Sequence, residues 1–485
     1  MSVPTSEDER LLRQLGYQPE LARRMSGFSN FAISFSIICI LAGGITSFHV
    51  GLCGAGGAGI ALGWPLVCLF SLAVAATMAQ VASAFPTAGG LYHWGSLLGG
   101  RACGWATAWF NLSGLITVVA AVNAGTYDFA TAAFGLVPQG PNAEAVRTAV
   151  IVGMTLSQAL LNHFGIRWTT RLTDLSGWLI LALTALMIVS LLAATRTLEW
   201  SRLWTFANFS GLPEEAPVFP RQSSLPWLFA LGFLLPAYTI TGFDASAHTS
   251  EETLDAARNV PRGIVRSVWV SGVFGWLMVC ALLLAMPDLR QGAAQGAAVV
   301  PWILRGALPP LLATGLLLGI VLVQYLCGLA ALTSASRMTF AFARDGGLPA
   351  SGWLRRVSPV TRSPSVAVWA TAAAGVAFTV LVPYTTIAAV CTVLLYISYV
   401  LPIGAGLIAY GRSWTRFGPW RLGAAYRPLA ALSVVGCLFL LVIGVQPPNA
   451  LALHIVGGVI VLLVVVWFGF ERRRFQGPPM IRQVP

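Results

Sequence analysis

Long apolar windows separated by short polar turns dominate this chain. A helix needs roughly 17–25 apolar residues to cross a bilayer, and twelve such windows follow one another. They cover about 28–51, 64–85, 102–131, 146–165, 173–194, 225–249, 264–286, 309–340, 365–382, 385–410, 428–446 and 451–470, numbered here as spans 1 to 12. The pattern predicts an all-α polytopic membrane protein with twelve transmembrane helices. Residues 86–101 and 288–306 read as short amphipathic or loop stretches. Residues 195–224, with Trp200, Trp204, Pro213, Pro217 and Pro220, read as the longest external loop. The first 26 residues are polar and lack an apolar core, so they read as a tail and not as a cleavable signal.

Composition excludes the soluble alternative. Of 485 residues, 56% are hydrophobic and only 9% charged, against roughly 25% charged in soluble proteins. A net charge of +12 would suggest nucleic acid in a soluble chain, but here the charges sit between lipid-facing segments. All 29 basic residues are arginine. Twelve spans place both ends on one side, and only Arg147, Arg196, Arg202, Arg221, Arg290 and Arg305 then fall on the other. Positive residues gather at the cytoplasm, which makes both termini cytoplasmic in a plasma (cell inner) membrane.

Candidate enzyme chemistry is absent from the pattern. The eight cysteines lie in or beside apolar stretches with no CxxC pair, and read as small buried hydrophobes, not metal ligands. No Ser-His-Asp set, HExxH or phosphate loop occurs, and the glycine-rich stretch at 54–59 reads as an external turn.

Two spans are poorly built as plain helices. Ala42-Gly43-Gly44-Ile45-Thr46 sits within span 1, and Pro236 to Asp244, including Tyr238, Thr241, Gly242 and Phe243, sits within span 6. Irregular backbone at membrane depth survives only where protein or a watery cavity satisfies it. Their separation by five spans predicts inverted repeats with matching broken helices. The expected division is a tail over 1–26, a first repeat over 27–194, a loop over 195–224, a second repeat over 225–411, two extra helices over 412–471 and a tail over 472–485.

Only Asp128 and Asp244 among the acids fall well inside windows. A membrane carboxyl is costly and usually serves a pathway. Asp128, nearer the span end, reads as interfacial, whereas Asp244 follows the break directly and is the candidate proton carrier. His248 lies one helical turn beyond it, and Glu251 and Glu252 are candidates for an inner gate together with Arg258, Arg262 and Arg266.

The run Gly242-Phe243-Asp244-Ala245-Ser246-Ala247-His248-Thr249-Ser250-Glu251-Glu252-Thr253 resembles the sixth-helix signature of the amino acid–polyamine–organocation superfamily. It is most similar to its amino acid/choline transporter branch, although Phe243 stands where that branch often has Tyr. Phe85-Pro86-Thr87-Ala88-Gly89-Gly90-Leu91-Tyr92 and Arg344-Asp345-Gly346-Gly347-Leu348-Pro349 extend the likeness. The resemblance implies alternating access, with substrate held between broken spans 1 and 6. Backbone donors of Ala42, Gly43, Gly44 and Ile45 would then meet a carboxylate, carbonyls around Tyr238–Thr241 an amino group, and Tyr238 would gate. It also implies a sodium alternative, with Thr333 and Ser334 of span 8 facing the span 1 carbonyls. A fifth-helix lysine that replaces sodium in some relatives is missing here, with Ile180 in its place.

The resulting expectation is a transporter for an amino acid or related amine, without cofactor, resident metal, nucleic acid or obligate protein partner. Coupling is expected to H⁺ or by exchange, in preference to Na⁺. The competing readings are a choline- or polyamine-type organocation transporter and a non-transporting amino-acid sensor. A cage drawn from Tyr238, Phe243, Tyr325, Tyr396 and Tyr399 would favour a quaternary amine.

Overall fold

In a computed structural model, residues 7–382 and 384–482 are described; the outermost residues of both expected tails lie outside them. Ten helices are long and apolar enough to cross a membrane, and two shorter apolar ones, Leu225–Thr239 and Ser365–Leu381, stand at the sixth and ninth places. Among the described residues all named elements are helical. The burial pattern locates the core. In span 1, 83% of the apolar window is buried inside the protein, against 22% in span 4, 28% in span 5 and 17% in span 12. Span 1 is therefore a central post, and the others present apolar side chains to lipid, where no water competes for their backbone.

Several boundaries differ from the sequence expectation. Span 1 is helical over Gly27–Ile38, leaves the helix at residues 39–42, and resumes as a turn over Gly43–Thr46. The interruption thus begins before the glycine pair, which opens the second half-helix instead of forming the gap. The glycine-rich stretch at 54–59 is no open loop: only Ala55 and Gly56 leave the helix within Phe48–Ala84, so spans 1 and 2 join through a kink. Similarly, the loop after span 2 closes by Gly90, and Leu91–Phe134 is helical apart from Gly100.

Span 6 runs over Leu225–Gly232 and Leu234–Thr239, breaks at residues 240–244, and ends in the short turn Ala245–His248; a further turn, Ser250–Glu252, lies beyond its end. Gly242 has φ of 82° at the break, and a Cβ there would stand 2.3 Å from Ile37 Cγ2. Only glycine tolerates both the left-handed backbone and that approach. The remaining spans are Ala143–His163, Ile166–Ala194, Ala256–Ala285, Pro310–Arg344, Tyr384–Ala409, Tyr426–Gly444 and Ala450–Val466.

The two ends of the chain meet on one face, hereafter the terminal face. The described N-terminal segment tucks Leu12, Leu15 and Tyr17 beneath the bundle, where Met480 packs on them. The opposite, far face carries the 195–224 loop and the short helices Leu289–Ala294 and Val299–Ala307.

Candidate functional site

The two breaks lie side by side because small residues line their contact. A Cβ on Gly43 would sit 2.8 Å from Thr239 Cα, so glycine is what lets the half-helices touch. Toward the terminal face, hydroxyls and amides stitch the same pair. Ser34 Oγ donates to Phe243 O at 2.8 Å, Ser246 N to Ser34 Oγ at 2.9 Å, and Asn30 Nδ2 to Ser246 O at 2.9 Å.

Irregular backbone leaves polar groups open there. The amides of Ala42 and Gly43 both donate to Cys39 O, at 2.7 and 3.1 Å. Among the described residues, the next two amides, Gly44 and Ile45, have no such partner, nor do the carbonyls of Ile240 and Thr241. A half-helix start offers partial positive charge, and unwound carbonyls the opposite.

A small cavity lies between the breaks. It is bordered by Ala42, Gly43 and Thr46 of span 1, Tyr238 and Thr241 of span 6, and residues of spans 3, 8 and 10, including Gln324 and Thr392. Of the nine substrate-site residues expected from sequence, Ala42, Gly43, Tyr238 and Thr241 border it. Gly44, Ile45, Gly242, Phe243 and Asp244 do not. Gly44 faces Trp64 and Met278, and Phe243 packs on the Tyr399 ring with centroids 5.0 Å apart. A second, larger space opens toward the far face between His49, Pro213, Phe219 and Asn449. Tyr238 borders both spaces, and its hydroxyl accepts from Asn449 Nδ2 at 2.9 Å.

Asp244 is fully buried beside the cavity and serves as a junction. Its carboxylate accepts from Tyr399 Oη at 2.8 Å and from Asn111 Nδ2 at 2.9 Å, and His248 Nε2 lies 3.1 Å away. Tyr399 Oη also receives the Gly242 amide at 3.0 Å. The side chain thereby ties span 6 to spans 3 and 10. Asp128, by contrast, pairs with Arg147 near the far face, partly exposed.

Glu251 and Glu252 find arginines other than those expected. Arg337 on span 8 holds Glu252 in a fully buried bidentate pair at 2.9 and 3.1 Å. Arg344 grips Glu251 at 2.8 and 2.9 Å. Arg258 reaches only its neighbour Asp255, on the surface. The Glu251 cluster extends into the N-terminal segment: Arg344 lies over the Tyr17 ring at 3.9 Å, and Tyr17, Tyr92 and His93 converge on Asp345 at 2.7, 2.9 and 3.1 Å. Burial works against both acidic charges. Arg344 beside Glu251 and His93 beside Asp345 nevertheless hold these carboxyls below their usual range.

The sodium candidates are not brought to the span 1 break. Thr333 Oγ1 bonds Asn162 Oδ1 at 2.8 Å, toward span 4, and Ser334 Oγ has no partner. The span 8 residues that face the break are Gln324, whose Nε2 donates to Leu41 O, and Cys327, whose Sγ meets Ile37 O. Thr333 lies nine residues further along the helix, about 13 Å at 1.5 Å per residue. Among the described residues no group of His, Cys, Asp or Glu could hold a metal ion.

Gln324, Asn111, Arg337 and the half-buried Asp174, which accepts from Ser29 Oγ at 3.0 Å, were missed from sequence. A polar residue inside an apolar window was the available signal for each.

Comparison with known proteins gives the family. A family model described as amino acid permease matches residues 25–470. Amino-acid permease BAT1 of Arabidopsis thaliana is 32% identical, covering 98% of this chain and 97% of its own length. Its homolog in Oryza sativa subsp. japonica is 31% identical, covering 96% and 94%. The GABA-specific permease of Saccharomyces cerevisiae is 29% identical over 91% of this chain and 79% of its own. The chain therefore belongs to the amino acid permease family, within the amino acid–polyamine–organocation superfamily, and is a multi-pass membrane transporter for amino acids and not an enzyme.

Proposed function

We propose that the protein is a secondary active transporter that carries a small amino acid or closely related amine by alternating access, linked to protons or by exchange. The substrate would sit in the cavity between the breaks, entering past Tyr238. Residues 27–194 and 225–411 would act as inverted repeats, with both termini in the cytoplasm and the protein in the plasma membrane.

One observation carries the coupling part of this reading. His248 Nδ1 lies 3.1 Å from the Ala88 carbonyl and Nε2 3.1 Å from Asp244. Both neighbours accept hydrogen bonds, so the ring and the carboxyl together need one more proton than a neutral histidine and a bare carboxylate supply. Loss of that proton frees one of the two contacts, and with it either the span 6 turn or the loop before span 3. A proton held beside the substrate cavity, at a joint between moving parts, is what proton-linked exchange of states requires.

The organocation alternative draws less support. Of the five cage candidates only Tyr238 borders the cavity. Tyr325 bonds Ser157, and Tyr396 packs between Phe70 and Tyr399. The relatives' names extend the candidate cargo from amino acids to GABA.

Uptake of radiolabelled L-alanine and GABA into proteoliposomes tests the proposal. An inward proton gradient should drive uptake, and Asp244→Asn should lose that drive. Uptake driven by sodium and indifferent to pH would reject the proton link. Saturable binding without uptake would point to a sensor.

A further inference from the structure

We infer that Gln324 is the side-chain receptor for the substrate's ammonium group, and that the cavity selects net-neutral, amine-bearing zwitterions. The inference rests on the transport reading above and adds the chemical class of the cargo.

Gln324 lies on span 8 with 1% of its surface exposed, and it borders the cavity. Its Nε2 donates to Leu41 O at 3.1 Å, within the span 1 break. That bond fixes which end of the amide is which, because a flipped amide would set two acceptors against each other. Oε1 is then left buried with no partner among the described residues. A buried carbonyl oxygen without a donor is costly, and a site that repeatedly binds and releases an N–H donor is a physical reason to keep one.

The rest of the cavity points the same way. The hydroxyls of Thr46, Thr126 and Thr392, which border it, spend their protons on Ala42 O, Val122 O and Ala388 O in their own helices. What remains of each for a ligand is lone pairs. The wall thus offers several acceptors, Gln324 Oε1 and the Thr241 carbonyl among them, while the Ser47 and Thr241 hydroxyls keep protons that suit the carboxylate end of the same molecule. Among the described residues no acidic or basic side chain borders the cavity. A net charge on the cargo, as in arginine or a polyamine, would therefore be buried without a counter-ion, which is costly. The ammonium of a zwitterion is instead balanced within the same molecule.

An amide oxygen also suits a metal cation, so the test must separate the two. Binding to the purified full-length protein is measured for L-alanine, GABA, N-acetyl-L-alanine, L-arginine and choline, in sodium and in sodium-free potassium buffer. We expect alanine or GABA to bind in both buffers, and the N-acetyl compound, arginine and choline to bind at least tenfold more weakly. Gln324→Met, close in shape but without the acceptor, should weaken the zwitterion tenfold or more and leave N-acetyl-L-alanine unchanged. Unaltered zwitterion affinity in Gln324→Met would overturn the inference while leaving transport intact. So would an effect of the substitution seen only in sodium, which would assign the oxygen to a metal cation. Failure of the unsubstituted protein to bind either zwitterion would count against the transport reading itself.

Discussion

The terminal and far halves of this molecule are built from different chemistry. Below the breaks, charged and aromatic groups from distant parts of the chain interlock: Glu252 with Arg337, Glu251 with Arg344, and Asp345 with Tyr17, Tyr92 and His93. The N-terminal segment is bound into this layer, because Arg24 N and Met25 N both donate to Glu252 O at 2.8 Å. Asp8 also caps the amides of Asp255 and Ala256 at 2.9 Å. Above the breaks, the space between His49, Pro213 and Asn449 is wide, and a neutral hydrogen bond from Asn449 to Tyr238 lies at its floor. The contrast means that buried ionic contacts close the terminal side of the breaks, whereas an open space lies on their far side. It describes a posture open toward the far face and closed at the terminal face.

Removing one partner from each half should sharpen this contrast. Glu252→Ala would strand a fully buried Arg337 guanidinium, and breaking a buried pair in that way costs about 3–5 kcal/mol. Asn449→Ala removes a single neutral bond at a wide opening, worth about 0.5–1.5 kcal/mol. Chemical denaturation in detergent should rank the two variants in that order by a clear margin. Equal losses would show that the terminal layer is not the fastening element.

A smaller effect follows from the carboxyls themselves. Glu251 is held below the ordinary 4.5 of a free glutamate, and Asp345 below 3.8. A group with a depressed folded pKa adds stability that is present above its unfolded value and lost as the pH falls through the folded one. The melting temperature should therefore stay level from neutral pH to about 5 as far as these groups are concerned, then drop on further acidification. Glu251→Gln should flatten part of that drop. A Glu251→Gln curve parallel to that of the unsubstituted protein would remove Glu251 from the account.

The broken helices were legible because their cause is local. Gly43-Gly44, Pro236 and Gly242 are poor helix residues in windows that otherwise favour helix, and the breaks fall beside them. The exact gap in span 1 was not legible, since Cys39 to Ala42 look like any apolar run. Asp244 was found by the cost of its charge, but its position outside the cavity wall depends on Asn111 and Tyr399, brought from far along the chain. The arginines facing Glu251 and Glu252 were misassigned for the same reason. Sequence neighbours such as Arg258 looked nearest, while the true partners lie 85 and 93 residues away. Gln324 gave only the faint signal of one amide in an apolar helix, where hydrogen bonding between helices explains such a residue equally well. Its meaning comes from Leu41, 283 residues distant.

The central claim is that the substrate cavity is reached from the far face while the terminal face is shut. Thiol labelling tests it most directly, using Ser47→Cys in a protein whose cavity cysteines, Cys327 and Cys391, are replaced by serine, since Ser47 borders both the cavity and the outer space. In oriented vesicles, a membrane-impermeant maleimide should label this cysteine from the far face, and L-alanine or GABA should slow the reaction. Labelling from the terminal face at an equal or greater rate, in the absence of substrate, would contradict the account.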